Sequence, residues 1–269
     1  MSGFRPRFFM LDTGATGGAA AGGADAGAGD LCDTELLLSA EDSHHASRVL
    51  RLQPGDQCEV VVGAAVYAAT VSAVTDRVRV RLTTRLEGPS AGASYDIQVG
   101  IVQALGRPAA MDYVLEKGTE VGASFFWFVK AAGSPKQAGG AQNDRLTRWL
   151  RIVREAAKQS KQVNIPDIRV ASSVEEALAG LQNDGAFSVV LDLGAAEGLD
   201  RAVAAGFPDA PRPSPVALWV GPEGGWSNAE LERFAAARLS VARLGRSVLR
   251  TETAGPVAVA VARLALRDW

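Results

Sequence analysis

The sequence predicts an α/β fold with a mainly parallel sheet, preceded by a small β-barrel-like unit. Three observations carry this reading. Between residues 58 and 82 apolar and polar residues alternate at a period of two. From about residue 94 strand-like and helix-like segments take turns. The two textures meet at Glu87-Gly88-Pro89, a cluster of chain breakers. The expected units are therefore 1–88 and 94–269.

In the first unit, residues 14–29 read GATGGAAAGGADAGAG. They offer nothing large to bury and lose much entropy on ordering, so a mobile loop is expected. EDSHHASRVLRL (41–52) predicts a short helix with Ala46, Val49 and Leu50 facing inward. The turn Gln53-Pro54-Gly55-Asp56 introduces the strands CEVVVG, AVYAATVSAV and RVRVRL.

In the second unit YDIQVGIVQAL predicts a strand. MDYVLEKGTEVG predicts a helix with Pro108 ahead of it and Gly122 at its end. SFFWFVK reads as a buried strand. RLTRWLRIVREAAKQS is an amphipathic helix with Leu146, Trp149, Val153, Ala156 and Ser160 on one face. Ser173 with Glu176, and Ser227 with Glu230, are capping-box pairs that open two further helices. FSVVLDLG, VALWVG and SVARLG read as strands, and TAGPVAVAVARLAL as a buried closing helix that contains Arg263.

Composition narrows the function. Hydrophobic residues make up 47% of the 269, enough for a sizeable core. The net charge is −2, so any nucleic-acid partner must be held by a local basic patch. Cys32 and Cys58 lack metal-ligand spacing and fit a reducing compartment, and His44-His45 are the only histidines. No signal sequence or membrane span is evident, so a cytoplasmic protein with no membrane partner is expected.

Two stretches carry chemistry. In VALWVGPEGGWSNAEL an apolar strand runs into Gly221-Pro222-Glu223-Gly224-Gly225, and a capped helix follows. Glycines at a strand's C-terminal edge let a ligand approach the backbone, though a tight turn without a ligand fits the same pattern. In VARLGRSVLRTETAGP, Gly245 gives a turn, Arg246 and Arg250 give positive charge, and Glu252 gives a carboxylate. A solvated loop fits that pattern equally. Two such loops in one α/β unit point to a shared pocket. The dinucleotide and P-loop glycine signatures are missing.

GPEGGWSNAEL followed by LGRSVLRTETA resembles the RsmE family of bacterial small-subunit ribosomal RNA uridine-N3 methyltransferases, of the SPOUT class. RPRFF, HHASRVLRLQPGD, VLEKGTEVGAS and RWLRIVREAAKQS with IPDI look like further family segments in the family's order. The Gly/Ala tract looks like an insertion, KAAGSPKQAGG is divergent, and Gly194 stands where many members carry His. The resemblance implies a PUA-like β-barrel domain for RNA binding and a methyltransferase domain with a deep trefoil knot. It implies a homodimer that acts on 16S ribosomal RNA of the small subunit, with no DNA partner. It implies S-adenosyl-L-methionine among three loops, which here place Leu193, Gly221, Pro222, Glu223, Gly224, Leu244, Gly245, Leu249 and Thr251 at the cofactor. No metal is implied.

Uridine N3 must lose its proton as it attacks the methyl group. Glu252 is a candidate base, with Glu223 second; Glu252 is equally explained as a helix N-terminal carboxylate. Arg246 and Arg250 are candidates for stabilising the charge that develops on the flanking carbonyl oxygens. For RNA phosphates the candidates are Arg5 and Arg7 beside Pro6, and Arg48 and Arg51, which at a spacing of three would share a helix face. Trp226 could line the pocket or serve packing. The rival reading is a non-catalytic RNA-binding protein that keeps the fold, and it has no need of the two glycine-bearing loops.

Overall fold

The computed structural model describes residues 5–10, 31–135, 142–206 and 214–269. The tract expected to be mobile, 14–29, lies outside them. The chain divides into two compact units, 1–93 with 161–163, and 94–160 with 164–269.

The first unit is a five-stranded sheet in the order β1-β3-β4-β5-β2. Strands β3 (Gln57–Val62), β4 (Ala65–Val74) and β5 (Val78–Leu86) form an antiparallel meander. β1 (Arg7–Met10) adds parallel to β3, and β2 (Glu35–Leu37) antiparallel to β5. Register shifts at Ala68/Ala69 and Val71/Ala73 bend the long β4–β5 ribbon, as bulges do. The inward-facing alternate residues Val60, Val71, Val80 and Leu82 pack with Phe8, Leu38 and Tyr67 in its core.

The expected helix over 41–52 is shorter and less regular. Helix α1 (Ala40–His44), capped by Ser39, passes into a π-helical turn over His45–Val49, closed by the Leu50 N–H donating to the His45 carbonyl at 2.9 Å. Ala46 is fully buried and Leu50 packs on the core, but Val49 is 61% exposed. The wide turn holds one residue more than an α-turn, which carries Val49 off the inward face.

The second unit is a six-stranded sheet in the order β11-β9-β10-β6-β7-β8, and every pairing in it is parallel, as expected. The strands are β6 (Val99–Ala104), β7 (Phe125–Val129), β8 (Asp167–Ala171), β9 (Phe187–Leu191), β10 (Val216–Val220) and β11 (Ser240–Ala242). Side chains alternate between its faces. Ile101, Phe126 and Leu218 meet helices α2 (Pro108–Glu120), α3 (Gln142–Gln159), α5 (Leu199–Ala205) and α7 (Thr251–Leu266). Val102, Trp127 and Trp219 meet α4 (Val174–Asn183) and α6 (Asn228–Ala236). Among the described residues no helix is long and apolar enough to cross a membrane.

The local signals have physical counterparts. Ser227 and Glu230 form the full reciprocal capping box at the start of α6. Ser173 forms only half of one: its hydroxyl accepts from the Glu176 N–H, while the Glu176 carboxylate turns to the Ser172 N–H and hydroxyl. Arg263 in α7 is fully buried, donates to the carbonyls of Ile97 and Gly122, pairs with Asp268 and lies 3.7 Å from the centre of the Tyr95 ring. It can sit in an apolar helix because its donors are occupied and its charge is paired.

Candidate cofactor cleft and basic residues

From β6 the second sheet builds outward through β7 and β8, whereas β10 lies on the other side of β6, with β9 and β11 beyond it. Ligands of open parallel sheets bind at the C-terminal edge beside such a reversal. A cleft lies there. The end of β9 contributes Leu191, Asp192 and Leu193, and the end of β10 contributes Val220 through Glu223, Gly225 and Trp226. The segment joining β11 to α7 contributes Leu244, Ser247, Val248 and Leu249, and the first turn of α7 contributes Thr251 and Ala254.

Of the residues predicted for the cofactor, Leu193, Gly221, Pro222, Glu223, Leu244, Leu249 and Thr251 line this cleft. Gly224 does not, and Gly245 faces a neighbouring cavity that Leu244 shares, beside Glu197 and Arg243. The glycines differ in what they allow. Gly225 needs its freedom, because its φ is +77° and its N–H closes a turn onto the Pro222 carbonyl at 2.9 Å. A Cβ on Gly221 would stand 3.2 Å from Nε1 of Trp226, so the missing side chain there makes room for an indole.

Glu223 pairs with Arg107 at 2.8 Å, and both side chains are 69% exposed. The predicted catalytic residues Arg246, Arg250 and Glu252 are not in the lining, although each neighbours a lining residue in the chain. The Arg250 side chain is 83% exposed and lies 4.0 Å from the Glu252 carboxylate, which is 17% exposed in the first turn of α7.

Sequence reading did not name Gln103, nor Leu191, Asp192, Val220, Ser247, Val248 and Ala254 of the lining. Asp192 Oδ1 accepts from the Gly194 N–H at 2.7 Å, which shapes the turn after β9. Gln103, at the C-terminal end of β6, is fully buried beneath the cleft. Its Nε2 donates to Thr251 Oγ1 at 2.8 Å, and that hydroxyl donates to the Gly221 carbonyl at 2.7 Å. The one signal in the sequence was a lone amide in an otherwise apolar strand.

The four arginines expected at RNA are not equivalent. Arg7 is 3% exposed, pairs with Glu59 at 2.9 Å and donates to the carbonyls of Ala91, Lys161 and Gln162. With its donors occupied and its charge paired it holds residues 161–162 to the first unit, and the expectation that it meets phosphate is corrected. Arg5 and Arg48 are exposed. Arg51 is exposed too, but it lies past the π-turn with φ +55°, so it shares no helix face with Arg48.

The family models define the chain as an RNA methyltransferase with a PUA domain. Residues 93–263 match the RNA methyltransferase domain family and residues 38–82 the RNA methyltransferase PUA domain. The chain is 30% identical to ribosomal RNA small subunit methyltransferase E of Mycobacterium bovis over 239 residues, 87% of each chain. It is 29% identical to the protein of that name from Bacillus subtilis, over 81% of this chain and 85% of that one. A crystal structure of ribosomal RNA small subunit methyltransferase E from Neisseria gonorrhoeae, bound to S-adenosyl methionine, shares the fold with a TM-score of 0.76 at 21% identity, over 97% of this chain and 98% of that one. The chain belongs to the ribosomal RNA small subunit methyltransferase E family.

Proposed function

We propose that this protein transfers a methyl group from S-adenosyl-L-methionine to N3 of a uridine in 16S ribosomal RNA, within the assembled small subunit. The observation that carries the reading is the cleft at the strand-order reversal, built jointly by the two glycine-bearing loops in a chain of this family. Its walls suit an adenosyl ligand. Leu191, Val220, Leu249 and Ala254 offer apolar surface to a flat heterocycle, and Asp192 offers a polar group.

When bound, S-adenosyl-L-methionine supplies a methyl group on a positively charged sulfur, open to a nitrogen lone pair. The target N3 sits on the pairing edge of the base, so the uridine must be unpaired or flipped out. Glu252 takes the N3 proton, and Glu223 is the weaker candidate because it is already paired with Arg107. Arg246 and Arg250 stabilise the charge that grows on the base's carbonyl oxygens. Arg5, Arg48 and Arg51 hold phosphates and set the register of the RNA.

The reading includes a cytoplasmic homodimer and the deep trefoil knot of the SPOUT class. A stripe on α7 supports the dimer: Val257 is 37% exposed, Leu264 is 65% exposed, and Val261 lies between them at helical spacing. Calorimetric titration tests the cofactor. One S-adenosyl-L-methionine per chain is expected, and Gly221→Val, whose side chain would displace Trp226 and fill the cleft floor, abolishes it. No heat of binding in the folded parent overturns the reading.

A further inference from the structure

The buried amide of Gln103 sits where an apolar side chain would fold more easily. Its neighbours in β6 are Val99, Ile101, Val102 and Ala104, all at most 1% exposed. Among the described residues its buried Oε1 has no hydrogen-bond partner, and the nearest face of α7 is opened by Gly255, whose Cβ would stand 3.6 Å from that oxygen. Leucine or methionine would remove that stranded acceptor, and would give up the amide's donations to Thr251 Oγ1 and to the Ala104 carbonyl at 3.3 Å. A group kept at such a cost calls for a role outside stability.

The hydrogen bonds supply one. The Gly221 carbonyl can only accept, so the Thr251 hydroxyl, 2.7 Å away, must spend its single proton there. What faces the hydroxyl from Gln103 must then be a donor, which fixes the amide with Nε2 toward Thr251 at 2.8 Å. Thr251 is the first residue of α7, where a hydroxyl left free could turn to other partners. Gln103 holds it on Gly221. The chain from Gln103 through Thr251 to Gly221 therefore ties the loop after β10 to the start of α7, two segments that both line the cleft.

We infer that Gln103 is a positioning residue for the cofactor, acting through Thr251 to hold these two segments in register. This rests on the cleft being the S-adenosyl-L-methionine site. The test compares the parent, Gln103→Leu, Thr251→Val and the double variant by calorimetry with S-adenosyl-L-methionine, thermal unfolding and steady-state kinetics.

Gln103→Leu is expected to weaken cofactor binding about tenfold, the size of one lost hydrogen bond with its geometry. Its KM for S-adenosyl-L-methionine rises in step, its KM for RNA stays put, and its Tm is unchanged or higher. Thr251→Val, which removes the same link from the other end, loses a similar factor, and the double variant loses no more than either single. Parent-like cofactor affinity in Gln103→Leu overturns the inference and leaves the cleft assignment standing. A lower Tm with an unchanged KM for the cofactor also overturns it, since that is a purely structural role. A parent that binds no S-adenosyl-L-methionine overturns both.

Discussion

Cys58 shows how a single environment can be checked. It is fully buried in the first unit, and burial, with the Glu59 carboxylate adding to it, pushes its thiol up to about 12 from an ordinary value of 9.0. The fold favours the protonated thiol. Its contribution to stability is therefore whole below about pH 9 and is lost progressively as the pH rises toward 12. Iodoacetamide at about pH 8.5 should label Cys32 and spare Cys58 in the native protein. Urea midpoints should fall as the pH climbs above about 9, and Cys58→Ala should blunt that fall. Equal labelling of both cysteines would contradict the assignment. At this scale the sequence was least informative. Arg7 read as a surface arginine because its partners, Lys161 and Gln162, stand about 150 residues away in the chain. The Gln103 amide stood out as a polar residue in an apolar strand, but its role was not legible because strand periodicity records polarity and not partners.

Elements were more legible, since helices and strands announce themselves through period and caps. The strands of five residues or more in the parallel sheet were found, apart from the edge strand β8. Strands β1, β2 and β8 and helix α5 were missed: β1 and β2 have only four and three residues, β8 is an edge strand with Asp167 and Arg169 facing solvent, and α5 has only seven residues. The two predicted capping boxes separate in the structure, and stability should separate with them. Glu230 is 4% exposed; one carboxylate oxygen accepts from the Ser227 N–H and hydroxyl at 2.8 Å, and the other accepts from the Ala132 N–H at 2.8 Å. It thus fixes the start of α6 and the turn that places Gly133 against Pro222. Glu230→Ala should destabilise the protein by about 2–3 kcal/mol, through a lost cap and a lost charged hydrogen bond to the Ala132 N–H. Ser173→Ala, which breaks half a box on an exposed helix start, should cost about 0.5–1 kcal/mol. Denaturant titration of the two variants measures both, and equal losses would mean that the Glu230 bridge contributes nothing.

The π-turn also bears on RNA. Arg48 and Arg51 lie on different local structures, so each should contribute separately to phosphate binding. Either single alanine variant should lower the slope of log affinity against log salt by about 0.7–0.9, and the double by the sum of the two, with cofactor binding unchanged. Filter binding over a salt series reads these slopes. A slope that stays at the parent value would remove both residues from the RNA surface.

For the molecule as a whole, the α/β class and the parallel sheet were readable from alternating textures, whereas the expected knot rests on the family resemblance alone and the expected dimer on that resemblance and on Val257, Val261 and Leu264 of the closing helix. Light scattering at micromolar concentration should report twice the chain mass, and Leu264→Glu, which places a charge on the exposed α7 stripe, should report one chain. A parent that is monomeric would remove the dimer and any site shared between subunits. The chemistry has a more direct test. Small ribosomal subunits purified from a strain lacking the modification should accept a methyl group from S-adenosyl-L-methionine in the presence of this protein, and nucleoside mass spectrometry should find 3-methyluridine in the 16S RNA. Glu252→Gln should bind the subunit and leave the uridine unmodified. A methyl group on ribose, on another base nitrogen or on protein would contradict the account.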